Sequence, residues 1–193
     1  MAIKWKIDPA HSEVQFRVKH LMITTVTGHF RKFDLEVVTE SEEFESARQI
    51  VFTADIDSID TNNAQRDQHL RSADFFNGEK YKQLRFVGTS YVADGDEAKL
   101  HGDLTIRDIT NPVTLKIDFG GIAVDPYGQT KAGFTVKGKI SRKEFGLTWN
   151  AVTEAGHVVV GDEIRIHCEI QLIRQQEKSN MAMQEEESAT ATS

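Results

Sequence analysis

The 193-residue chain has a single cysteine, Cys168, so no internal disulfide can form. No apolar run approaches the roughly 20 residues that a membrane-spanning helix requires. The opening stretch MAIKWKIDPAHS lacks an apolar segment followed by a cleavage site, and Ile3, Trp5 and Ile7 already alternate with Lys4 and Lys6. These absences set the expectation of a protein in a reducing cytoplasm. Basic excess is missing as well. Lys and Arg total 23 against 30 Asp and Glu, a formal net charge of −7, which argues against nucleic acid as a general partner. No glycine-rich phosphate loop follows a strand, and Gly120–Gly121 reads as a bend.

Catalytic and metal patterns are equally thin. His11, His20 and His29 lie nine residues apart, and none has the helical partner of a zinc motif. Asp8, His11 and Ser12 have the residue types of a hydrolytic triad, but no nucleophile elbow surrounds Ser12. Their expected role is to fix an entry turn by local hydrogen bonds. Cys168, between Ile166 and Ile170, reads as a small buried hydrophobe.

What is present is alternation. In HSEVQFRVKHL, residues Val14, Phe16, Val18 and His20 fall on one side, while Glu13, Gln15, Arg17 and Lys19 fall on the other. Successive side chains of a strand point to opposite faces, so this segment predicts a strand with one apolar face. The same period recurs through Phe33–Val37, Ile50–Ser58, Leu84–Ser90, Ala98–Ile106, Val113–Phe119, Ala132–Ile140 and Ile164–Leu172. Eight amphipathic strands joined by turns such as DGD and DPYG predict an all-β fold, an eight-stranded antiparallel barrel of the lipocalin-like kind.

One segment departs from the period. TNNAQRDQHLRSADFF predicts a short helix at the barrel's side or mouth, with Asn62 as N-cap and Gln65 as its box partner. Its stripe of Arg66, Leu70 and Ala73, with His69 beside it, would face the barrel. Asp67 and Arg71 would form a solvated pair. A second helical turn is expected at Ser141–Gly146. The barrel domain is expected to span residues 1–174, followed over residues 175–193 by a polar, acidic, disordered tail.

Small residues recur at inward mid-strand positions, among them Gly88, Gly102 and Gly138. Glycine weakens a strand unless something needs the space. Two readings remain open here: a hollow barrel, or a filled one in which small residues alternate with large.

The chain resembles the YceI-like family of lipocalin-like proteins associated with polyisoprenoid binding. The carrying motifs are DPAHSEVQFRVKHLMITTVTGHF, TNNAQRDQHLRSADFF, GDLTIRDITNPV and GKISRKEFGLTWN, in that order, within residues 5–174. Lys82 stands where relatives often carry proline, and Asp108 where glycine is common. The resemblance implies a long apolar tunnel, and many relatives work in the bacterial periplasm. The implied guest is a polyprenyl chain, a quinone or another fatty-acid-like lipid. No metal or other cofactor is implied, and a homodimer is suggested on the same ground.

On that reading the tunnel wall comprises Phe16, Val18, Phe52, Ile56, Phe86, Leu104, Ile106, Phe134 and Ile166. Leu70 and Phe76 close it from the helical segment. Arg66, His69, Arg142 and the inward His20 are candidate contacts for a polar head. For Arg66 the alternative is to tie loop carbonyls together. Each buried methylene contributes roughly 0.8 kcal/mol, so a few isoprene units approach the affinity ceiling of about 18–21 kcal/mol, and tunnel length would then set selectivity. The leading expectation is a binding module without catalysis. Its rivals are an enzyme of small hydrophobic molecules using His20 or His69, and a filled barrel acting through its surface.

Overall fold

A computed structural model describes residues 2–151 and 158–176; the tail expected after Arg174 lies, beyond Gln176, outside the described residues. The first three walls of the barrel are each interrupted once. They comprise β1 (Ile3–Ile7) with β2 (Glu13–His20), β3 (Thr24–Phe30) with β4 (Phe33–Thr39), and β5 (Ala47–Asp55) with β6 (Ile59–Asp60). Five long strands complete the ring: β7 (Gln83–Asp94), β8 (Glu97–Ile106), β9 (Ile109–Val124), β10 (Thr130–Ser141) and β11 (Val160–Arg174). All pairings are antiparallel; each wall pairs with the next along the chain, and the first and last close the circle where β11 pairs with both β1 and β2. The result is the closed eight-walled barrel that the alternation predicts.

Local chemistry explains the first interruption. Pro9 has no amide to donate, so the ladder stops there. Asp8 turns the chain by accepting the Ala10 amide at 3.1 Å and lies 2.8 Å from His11 Nδ1. It also accepts Gln171 Nε2 at 2.9 Å, while Ser12 Oγ accepts the Gln171 amide at 3.0 Å. The three residues that resemble a triad therefore clasp the entry turn to β11, with the Ser12 hydroxyl engaged by backbone.

Burial of Asp8 opposes its ionisation, but the hydrogen bonds from His11, Gln171 and Ala10 outweigh it and hold the carboxyl below its ordinary 3.8. A depressed carboxyl contributes stability that is fully present above the unfolded value and is lost as pH falls through the folded one. Asp8→Asn is therefore expected to be less stable than the parent at pH 7, with the difference shrinking below about pH 4. Urea unfolding across pH 7 to 2 checks this; parallel curves would refute it.

The helix α1 (Ala64–Arg71) begins one residue later than the capping box predicts. Asn63 accepts the Arg66 amide at 3.0 Å, while Asn62 takes a left-handed φ of 64°. Asp67 is also corrected. Instead of pairing with Arg71 in water it is buried, and its carboxylate accepts the Thr61 amide at 2.9 Å and the Thr61 hydroxyl. The expected turn after β10 is a 3-10 helix, Arg142–Phe145, ending at Gly146 with φ 74°. No helix among the described residues is long and apolar enough to cross a membrane.

Aromatic side chains fill one end of the barrel's interior. Trp5, Phe44 and Phe134 are buried there, with Phe44 set 5.0 Å from Trp5 and 4.8 Å from Phe134 between ring centroids. Phe119 stacks on Phe134 at 5.1 Å. Such tilted and edge-on arrangements suit the ring quadrupole, so this cluster makes a rigid floor.

Candidate functional site: an apolar lumen with a polar mouth

Above that floor the inward faces enclose a cavity of about 610 Å³. The volume falls within the roughly 300–1,000 Å³ of pockets that enclose small ligands. Phe16 and Val18 on β2, Phe52 on β5, Phe86 on β7, Leu104 and Ile106 on β8, and Ile166 on β11 all line it. Leu70 from α1 and Phe76 from the turn after it close the side. The aromatic cluster of Trp5, Phe44, Phe119 and Phe134 does not line this cavity.

Two candidate wall residues lie elsewhere. Ile56 is only 2% exposed, but it sits in the 3-10 turn Ile56–Ser58, where β5 has ended and the two-residue period no longer applies. Phe134 belongs to the aromatic floor rather than to the wall above it. Leu84, Leu100, Leu115 and Val136 line the cavity at the same inward register as the chosen residues. Their alternation could have placed them. Phe75 and Trp149 could not be placed that way, because they lie outside the periodic segments.

The inward glycines create room indirectly. A Cβ on Gly28 would collide with the ring tip of Phe16, its cross-strand partner, and one on Gly102 would collide with Phe86 and come 2.6 Å from the Val87 carbonyl. One on Gly138 would meet Leu115 Cδ2 at 2.5 Å. Each glycine is a notch into which a large neighbour folds flat against the wall. The space is then left at the axis. Both open readings contained part of this: small residues do complement large ones, and the barrel is nevertheless hollow over part of its length.

The mouth lies between α1 and the strap that follows the 3-10 turn. His69 lies edge-on to Trp149 at 4.6 Å and to Phe75 at 5.2 Å, and its Nε2 is 2.9 Å from Asp74 Oδ2. Arg66 lines the rim, but its Nε donates to Thr61 Oγ1 at 2.7 Å and its Nη2 to the Thr61 carbonyl. It ties the loop. His20 lines the mouth too and is exposed at the end of β2.

Arg142 is also corrected. Only 2% exposed, it donates to the carbonyls of Gly161 (2.8 Å), Leu147 (2.6 Å), Trp149 (2.8 Å) and Val160 (3.2 Å). A guanidinium spent on four carbonyls is a brace for the strap, with little left for a head group. Cys168 lines the lumen, and burial pushes its thiol up to about 12, so it is an uncharged part of the wall.

An antiparallel barrel with an apolar lumen, opening between a helix and a braced strap, is a lipocalin-like architecture. The YceI-like domain family matches residues 5–172, and the chain belongs to that family. Protein YceI of Shigella flexneri is 43% identical over 149 residues, 76% of this chain and 78% of that protein. Among solved structures, Burkholderia cenocepacia BcnA matches with a TM-score of 0.73 at 22% identity, covering 86% of this chain and 98% of its own. A polyisoprenoid-binding domain from Saccharophagus degradans matches with a TM-score of 0.61 at 12% identity, covering 89% and 98%. These two likenesses concern the fold.

Proposed function

We propose that this protein binds a polyisoprenoid, or a long-chain lipid of similar girth, with its tail in the lumen and without acting on it chemically. The apolar cavity of about 610 Å³ is the observation that carries the reading. Membership of the YceI-like family and the likeness to a polyisoprenoid-binding domain support it. The polar end would lie at the mouth, where Arg66 and His69 stand among Trp149 and Phe75. The Asn63 cap and the Arg66 tether to Thr61 hold that rim in place before a guest arrives.

The finite cavity would make the site a ruler. Each methylene that enters contributes roughly 0.8 kcal/mol, and none is gained once the volume of about 610 Å³ is filled. Affinity should therefore rise with tail length and then level off.

The test is native mass spectrometry and solvent extraction of the purified protein, followed by titration with fluorescent prenyl chains of graded length. The expected result is one apolar guest per chain and a plateau in affinity. Finding no co-purified lipid and no uptake of any prenyl chain would end the proposal.

A further inference from the structure

The outer wall beside the mouth carries a cluster of basic side chains with Glu163 set among them, although the whole chain has a net charge of −7. Arg17 on β2 stands opposite Arg165 on β11, which in turn stands opposite Lys139 on β10. Lys19 continues the row toward the mouth, Lys137 flanks Lys139, and all five side chains are exposed. Glu163 reaches Arg165 at 3.0 Å and Lys139 at 3.8 Å. The outward acids Glu13 and Glu169 lie on the same strands but toward the aromatic floor. Like charges directly opposed across strands are destabilising, so this arrangement carries a cost within the free protein.

The hairpin that continues β2 has a second cost. Leu21 and Met22 take φ of 50° and 59°, and the Ile23 amide donates to the His20 carbonyl at 3.1 Å. This is a type I′ turn, which favours Asn-Gly; a bulky pair there is strained. Its side chains are also in water, with Met22 58% and Ile23 77% exposed. The Leu21 amide donates to the Val159 carbonyl at 2.8 Å, which sets the exposed Val158 beside the tip.

We infer that this side of the mouth docks on an anionic membrane surface. Met22 and Ile23 enter the interfacial layer, and Arg17, Lys19, Lys139 and Arg165 meet the phosphate head groups. An apolar tip bordered by a basic band is the chemistry of an interfacial anchor. Its position places the open lumen against the lipid. The inference deepens the lipid-binding reading by naming where a guest would enter, but its test does not use the lumen.

The full chain is pelleted with phosphatidylcholine vesicles, with and without phosphatidylglycerol, at low and high salt. Binding is expected on the anionic vesicles at low salt only. Neutralising the pair in Arg17→Gln/Arg165→Gln should weaken it about fivefold per charge. Leu21→Asn/Met22→Gly should raise the unfolding temperature while cutting vesicle binding roughly tenfold, because it suits the turn and removes the Met22 half of the anchor. Failure of the parent protein to pellet with anionic vesicles, equal pelleting with neutral ones, or unchanged binding by the turn variant would overturn the inference. Prenyl-probe uptake in vesicle-free solution reads the lumen separately, so loss of uptake with docking retained would count against the lumen reading alone.

Discussion

Arg142→Met is expected to lower the unfolding free energy by about 3–5 kcal/mol, the range for removing one partner from a buried charged network. Methionine keeps the approximate length and apolar stem of the side chain. It leaves the carbonyls of Leu147, Trp149 and Gly161 without the guanidinium donors that now bind them, while Val160 keeps the Asn150 amide at 2.9 Å. Some would recover water by moving outward, and that movement carries Trp149 away from His69. The variant should therefore release a bound prenyl chain faster as well as unfold at lower urea. Arg142→Lys should recover only part of the loss, because an ammonium lacks the flat fork that reaches both strap and β11. Urea titration and stopped-flow displacement of a fluorescent prenyl chain check the two effects. An Arg142→Met midpoint equal to the parent's would show that the brace is dispensable.

Gly28→Ala should reduce prenyl affinity at least tenfold, a change of about 1.4 kcal/mol, while costing about 1–3 kcal/mol of stability through overpacking. The three atoms nearest the added methyl all belong to the ring of Phe16, whose Cε1 and Cε2 both lie 2.7 Å from where it would sit. A ring can turn where a backbone cannot, and on this wall it turns toward the axis. The lumen narrows. Phe16→Ala in the Gly28→Ala background should restore uptake, giving a coupling between the two sites that independent positions would not show. At Gly102 the Val87 carbonyl stands 2.6 Å away, so substitution there would move backbone and confound binding with folding. Parent-like prenyl affinity in Gly28→Ala would refute the notch account of the cavity.

Most of the wall was legible because alternation is a local property. Phe16, Val18, Phe86, Leu104 and Ile166 face inward for the same reason at every strand, and a ring of such strands has one interior. Ile56 lies outside the wall because the chain leaves the sheet after Asp55 for a 3-10 turn, while the period in the sequence runs on to Ser58. Asp67 was misplaced because its partner, Thr61, lies upstream of the helix and outside any helical spacing rule. His20 kept the correct parity, but strand parity does not say where along the barrel the wall stops.

By itself, then, the sequence determined the alternating strands, the inward sides and the short helix, since each depends on neighbours within a few residues. Only the tertiary structure decided which stretch of the interior is packed and which is empty. Phe134 and Phe86 have the same inward parity. The first meets Phe44 and Phe119 and closes the floor, while the second lies down over Gly102 and leaves the axis open. Rotamers chosen across strands set that difference, and pairing far apart in the chain brings those strands together. The same holds for Arg142, whose use as a brace follows from carbonyls that converge only after β10, the strap and β11 have met.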